Sequence, residues 1–221
     1  MKERMMKKEV KNQDAKSSVK ESSKVNVKNM VQIGMLGALA TILMIFQIQL
    51  PFLVPSFYKL DLSEIPVLIG AFAMGPAAGI MIEFIKVLLN FVIDGTMTMG
   101  IGELANFIMG VSFVVPASIC YQKFHTRKGA IVGLASGTLA MTVVASILNA
   151  FVLLPAYAMA FGMEDMTPLI QMGGAVNPGI TNLATFIFLA VAPFNLLKGI
   201  VISSITMLLY KKISSLLKIV K

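Results

Sequence analysis

The chain has 221 residues, of which 57% are hydrophobic and 14% charged, and its mean hydropathy is +0.82. Soluble domains average about 25% charged residues, so this balance points to the membrane class and leaves no length for a separate soluble catalytic domain. The net charge of +8 is not a nucleic-acid footprint: nine of the 19 Lys and Arg lie in residues 1–28 and four more (Lys211, Lys212, Lys218, Lys221) at the C-terminal end, both flanking apolar spans, with no aromatic-interleaved basic patch.

Residues 1–28 are rich in Lys, Ser and Glu, the composition of a disordered cytoplasmic tail. So long a polar lead argues against a cleavable signal peptide. A membrane domain is expected over residues 29–213, followed by a basic cytoplasmic end over 214–221. The first span is predicted from Met30 to Leu50. The stretch 51–64, PFLVPSFYKLDLSE, holds Pro51 and Pro55, which deny it a regular helix. It reads as a re-entrant or capping loop, with Phe52, Phe57 and Tyr58 as interfacial aromatics.

Residues 65–93 are apolar but interrupted by Gly75-Pro76. Pro76 suits a first helical turn, so two helices are predicted, with one long kinked helix as the alternative. Asp94, Gly95, Gly100 and Gly102 mark a loop over 94–103. A fourth span is predicted from Ile101 to Tyr121. The connection 122–128 is basic and holds the single histidine, His125, beside Arg127 and Lys128, where a solvated side chain is expected. The single cysteine, Cys120, excludes an intrachain disulfide and a Cys-based metal site, and no metal centre is expected. A fifth span is predicted from Gly129 to Leu154, before Pro155. Residues 161–179 read as a polar, glycine-bearing loop. The last span is placed from Ala192 to Tyr210, with residues 180–191 open between a linker and an extra half-helix.

This gives an all-α integral membrane protein of six transmembrane helices. With both termini cytoplasmic, the outer loops 51–61, 94–100 and 161–179 hold one Lys, Lys59, and no Arg, as the positive-inside rule requires.

An ionisable residue at mid-membrane costs about 2.5–3.5 kcal/mol on insertion scales, so each is a functional candidate. Here these are Glu83, Lys86, Glu103 and Lys198, with the polar Asn106, Asn149 and Asn195. Asn149 lies roughly 30 Å along its span at 1.5 Å per residue, near the outer face. Glu103 and Asn106 open the fourth span. Asn195 and Lys198 are three apart on one helix face. The distribution predicts a polar cavity towards the outer side. Structural roles stand beside it: Glu83 and Lys86 neutralising each other, Glu103 favouring a helix start, Asn149 bonding a neighbouring helix, and Asn195 serving backbone freed by Pro193. Lys198 has no acid at i±3 or i±4. On span one, Gly34, Gly37, Ala38 and Thr41 form two small-xxx-small pairs, suited to packing within the molecule or to docking another membrane protein.

The strings FYKLDLSEIPVLIGAFAMGPAAGIMIEFIK, GIGELANFIMG, ILNAFVLLPAYA and APFNLLKG resemble, in order, the riboflavin-binding S-components of energy-coupling factor (ECF) vitamin transporters. The resemblance runs from Val31 to Lys212, with extra length between Ala160 and Ala192. It implies a six-helix substrate-binding subunit, not an enzyme. Such a subunit binds riboflavin (FMN being a second possible substrate) on the outer face, under a loop that here carries Tyr58. It would sit in the bacterial plasma membrane and dock on a transmembrane coupling subunit with two ATP-binding subunits. In that family an Asn on span five and an Asn and a Lys on span six contact the flavin ring; the matching residues are Asn149, Asn195 and Lys198. Glu83, Lys86, Glu103 and the glycines from Gly95 onwards are candidates for the ribityl chain, and the span-one small face for docking. The chain holds no GxxxxGK[ST] phosphate loop, so ATP hydrolysis would fall to partners. The rival readings are an S-component for thiamine or biotin, a stand-alone secondary carrier, and an intramembrane hydrolase, which the lone loop histidine disfavours.

Overall fold

The computed structural model describes residues 27–96 and 98–219, with side chains to Leu209. The chain divides into two units, residues 1–32 and 33–221. Of the first, only Val27–Gln32 is described, as the opening turns of a helix. The polar tail expected over 1–28 therefore lies, but for Val27 and Lys28, outside the described residues. The second unit is a helical bundle.

Helix α1, Val27–Ile45, stops short of the Leu50 expected as its end. The chain instead forms a two-residue antiparallel ladder between β1 (Ile48–Gln49) and β2 (Lys59–Leu60), pairing Ile48 with Leu60. Pro51 and Pro55, which lack the N–H a strand needs, occupy the connection between them. Helix α2, Glu64–Met74, has 11 residues, eight of them buried. It is an interior helix of about 16 Å, roughly half the hydrocarbon thickness. Gly75, at φ +106°, reverses the chain, and Pro76 opens α3, Pro76–Asp94, so these are two helices and not one kinked helix.

Helix α4, Ile101–Phe124, and helix α5, Arg127–Leu148, pack closely. Thr126 caps α5 by accepting from the Gly129 amide at 3.0 Å. Two α5 glycines set the spacing: a Cβ on Gly133 would lie 2.5 Å from the Ala117 carbonyl oxygen, and one on Gly137 2.3 Å from that of Phe113. Gly137→Ala is expected to destabilise the protein by about 1–3 kcal/mol, the cost of overpacking against backbone. Gly34→Ala, with nothing within 4 Å of its Cβ position, should be neutral or gain up to about 1 kcal/mol from helix propensity. Thermal unfolding of the two variants in detergent checks the contrast.

Pro155 and Pro193 do not end or start spans, contrary to expectation. A five-residue π-turn, Asn149–Leu153, follows α5 and leads into α6, Leu154–Ala160. A second, Ile187–Val191, joins the short α8, Leu183–Phe186, to α9, Ala192–Ile219. In each, the amide just before the proline bonds the carbonyl five residues back: Leu154 to Asn149, Ala192 to Ile187. The wide turn makes room for a ring that would clash with the carbonyl four residues back and that donates no hydrogen bond. The last span thus begins at Leu183, capped by reciprocal bonds between Asn182 and Thr185. Backbone helix continues past the residue-213 boundary expected for the membrane domain.

The segment expected as a loop over 161–179 contains α7, Thr167–Val176. Asp165 accepts from the Thr167 amide and hydroxyl at 2.9 Å each, and Pro168 fits the first turn, where an amide has no helical partner. Among the described residues, five helical stretches are long and apolar enough to cross a membrane: Val27–Ile45, Pro76–Asp94, Ile101–Phe124, Arg127–Ala160 and Leu183–Leu209. The sixth expected span corresponds to the short α2.

Two apolar cores result. One, in the bundle, gathers Phe72, Ile82, Phe113, Leu134 and Ile202. The other, at the hairpin end, gathers Val54 and Tyr58 with Leu154, Leu169, Phe186 and Phe194. Outward, Met35, Leu39, Phe84, Leu88, Leu139 and Val143 are exposed, an apolar surface of the kind lipid covers. The small residues of α1 are not one face. Gly37 and Thr41 are buried, a Cβ on Gly37 meeting Ile85 of α3 at 2.6 Å, whereas Gly34 and Ala38 are exposed.

Candidate functional site

A cavity of about 560 Å³ lies where the two cores meet, with walls from the cap segment before α2, the α3–α4 turn, the first π-turn, α6, α7 and α9. Small-molecule sites run to about 300–1,000 Å³. One side of it is aromatic. Phe57 lies 4.8 Å from Tyr58 and 5.6 Å from Tyr157 between ring centroids, and Tyr58 lies 5.7 Å from Phe194. Such a wall suits the face of a flat ring.

Asn149, Asn195 and Lys198 all line this cavity. Asn149, 1% exposed, stands at the first residue of its π-turn. Its Nδ2 donates to the Ala145 carbonyl at 2.7 Å, and its Oδ1 accepts the Tyr58 hydroxyl at 2.5 Å. Asn195 donates from Nδ2 to the Val191 carbonyl at 2.8 Å. A carbonyl only accepts, so both carboxamides have a fixed orientation. Val191 is the residue four before Asn195 itself, and its carbonyl is not the one that Pro193 leaves without a partner, so this bond is back-bonding along the helix and does not bear on the reading of Asn195 as serving backbone freed by Pro193. One turn further on, Lys198 donates to Asp61 Oδ2 at 2.9 Å. Asp61 Oδ1 accepts the Ser63 amide at 3.0 Å and also the Ser63 hydroxyl.

After these bonds the site keeps one N–H on each Asn, two on Lys198, and the Asn195 Oδ1 acceptor.

Tyr58, Gly95 and Glu103 also line the cavity. Gly95 sits at φ +75° with nothing near its Cβ position. Glu103 lies in the first turn of α4, where acidic side chains favour the helix, and accepts the Thr96 hydroxyl at 3.0 Å. Both of its readings are thus compatible.

Glu83 and Lys86 do not line the cavity, against the expectation of a ligand contact. Both are fully buried behind its wall. Lys86 Nζ lies 2.7 Å from Glu64 Oε1 and 2.6 Å from Glu83 Oε1, so Glu83 and Lys86 are within ion-pair distance of each other, with Glu64 as a third member. Gly110 makes room for this triad: a Cβ there would lie 2.2 Å from Glu83 Oε1.

Asp61, Glu64, Asn90 and Tyr157 line the cavity without having been singled out in the sequence. For the first two the sequence holds only an indirect hint, which does not single them out. Lys198 has no acid on its own helix face, and Asp61 and Glu64 are acids bordering an apolar run.

A family model described as "ECF transporter, substrate-specific component" matches residues 28–210. The riboflavin transporter RibU of Staphylococcus aureus (strain TCH60) is 39% identical over 191 residues, covering 86% of this chain and 93% of that protein. The riboflavin transporter FmnP of Bacillus subtilis (strain 168) is 35% identical over 190 residues, covering 86% and 93%. A solved S component of a bacterial ECF transporter superposes with a TM-score of 0.67 at 35% identity, covering 86% of this chain and 98% of that one.

Proposed function

Because the chain belongs to the family of ECF transporter substrate-specific components, we propose that it captures riboflavin on the outer face of the membrane and delivers it together with a transmembrane coupling subunit and two ATP-binding subunits. It is a transport subunit and not an enzyme, and a multi-pass protein of the bacterial plasma membrane. Six crossings are proposed: the five long helical stretches, with the cap segment and α2 together making the sixth. The hairpin end faces outward and both termini face the cytoplasm. The charge distribution supports this orientation. Lys123, Arg127 and Lys128 cluster at the α4–α5 connection, while Lys59 is the one Lys or Arg in the loops of the other end.

The observation that carries the riboflavin reading is the convergence of Asn149, Asn195 and Lys198 on one cavity with an aromatic wall. A flavin ring has flat apolar faces and an imide edge ordered carbonyl, N–H, carbonyl. The free donors of Lys198 and Asn149 suit the carbonyls, and the free Asn195 Oδ1 suits the N–H. Polar groups about the α3–α4 turn, including Glu103 and the backbone near Gly95, suit a polyol chain. Asp94 and Glu103 stand on this part of the wall, and acidic side chains favour the neutral polyol of riboflavin over the phosphate of FMN.

Quenching of riboflavin fluorescence on titration with purified protein tests this, with FMN, thiamine and biotin as competitors. Lys198→Ala and Asn149→Ala should each weaken binding by about 1–3 kcal/mol, the scale for a lost buried hydrogen-bond partner. Unchanged affinity in both folded variants would take these residues out of the site.

A further inference from the structure

The cap segment reaches the polar edge of the cavity twice within four residues: Tyr58 bonds Asn149, and Asp61 bonds Lys198. Asp61 is held by three donors, two from Ser63 and one from Lys198, and its carboxylate is almost fully enclosed. Among the described residues, Asp61 is the single hydrogen-bond partner of the Lys198 ammonium. The pair is formally neutral. The deeper triad of Glu64, Lys86 and Glu83 holds its charges behind the wall.

We infer that Asp61 is the positioning and selectivity residue of the site: it aims the Lys198 ammonium at the ligand and cancels its charge, so that the cavity accepts a neutral carbonyl–imide edge and rejects the same edge once it has lost its proton. This rests on the riboflavin reading. A lone ammonium on the wall would favour an anionic edge, since a charge of opposite sign a few ångströms away gains strongly in a dry site. Neutralised by Asp61, Lys198 supplies direction and two donors without that bias. The cap segment thereby sets the ligand's allowed charge as well as covering it.

The test is the ratio of riboflavin affinity at neutral pH to that at a pH where the imide of free riboflavin is ionised. Wild-type affinity should fall as the imide ionises. Asp61→Asn keeps the acceptor for the Ser63 amide but uncovers the ammonium. At neutral pH it should bind about tenfold to a hundredfold more weakly, the range for losing a charged hydrogen bond, yet lose less, or gain, as the imide ionises. Lys198→Gln leaves Asp61 uncovered and should lose affinity more steeply than wild type. The opposite signs keep the test decisive if one variant fails to fold. The other ionisable groups on the cavity wall are Tyr58 and Lys59 on the cap, Glu64 on α2, Asp94 on α3, Glu103 on α4 and Tyr157 on α6, with Glu83 and Lys86 of α3 behind it. All are common to every variant and drop out of the comparison. A ratio equal to wild type in either folded variant overturns the inference. Failure of the wild-type protein to bind riboflavin at any pH overturns instead the reading of the ligand.

Discussion

Replacing Lys86 with methionine should prevent the protein from accumulating folded in the membrane. Lys86 is fully buried and lies within ion-pair distance of both Glu64 and Glu83. Its aligned hydrogen bond goes to Glu64 Oε1, while neither Glu83 oxygen receives one. One ammonium thus stands between two buried acids, in a place where water cannot substitute. Removing one member of a buried pair costs about 3–5 kcal/mol, because the remaining charge stays buried and unpaired. Here two buried acids lose their one cationic partner, against a total stability of about 5–15 kcal/mol for an ordinary domain. The variant Lys86→Met/Glu83→Leu/Glu64→Gln removes all three charges and should recover most of the loss, since apolar replacement of a whole buried cluster is often neutral. Size-exclusion profiles and thermal unfolding in detergent would read both. A folded single variant, as stable as wild type, would show that the triad does not hold α2 and α3 together.

Glu83 and Lys86 also mark how far the sequence could be read. Their i,i+3 spacing announced a pair, and self-neutralisation was one of two open readings. The distant partner Glu64 was not visible, because a carboxylate at the start of a helix satisfies a local rule and raises no question. Asn149, Asn195 and Lys198 were legible as one group, since the helical rise alone placed them at a common depth and polarity in an apolar span has few explanations. Asp61 was not legible. In a proline-rich segment an Asp reads as a turn residue, and only tertiary folding shows that the turn dips inside. The prolines misled in the opposite sense. Pro155 and Pro193 look like helix ends, yet a π-turn ahead of each absorbs the missing donor, and those wide turns flank the residues of the polar edge. Residues 161–179 read as a loop on account of their glycines. The Asp165–Thr167–Pro168 start signal was present in the sequence and was outweighed by composition.

Leucine at Gly34 should leave riboflavin binding intact and abolish assembly with the coupling subunit. Gly37 and Thr41 point into the bundle, the Thr41 hydroxyl donating to the Gly37 carbonyl at 2.9 Å, so substitution there tests intramolecular packing instead. Gly34 has open space at its Cβ position, Ala38 is exposed one turn on, and Met35, Leu39 and Ile42 lie exposed beside them. A Cβ at Gly34 therefore meets nothing in the isolated subunit. In lipid, close helix approach depends on small residues, because dispersion and not the hydrophobic effect drives association. A leucine at the crossing point holds the backbones apart and forfeits contacts along the whole face, so riboflavin uptake by the assembled transporter should fall by about tenfold or more, the equivalent of only 1.4 kcal/mol. Gly34→Ala, which preserves a small side chain, should assemble normally. If this stripe merely faces lipid, co-purification of the coupling subunit with Gly34→Leu will match wild type, and the docking surface must then be sought on another helix.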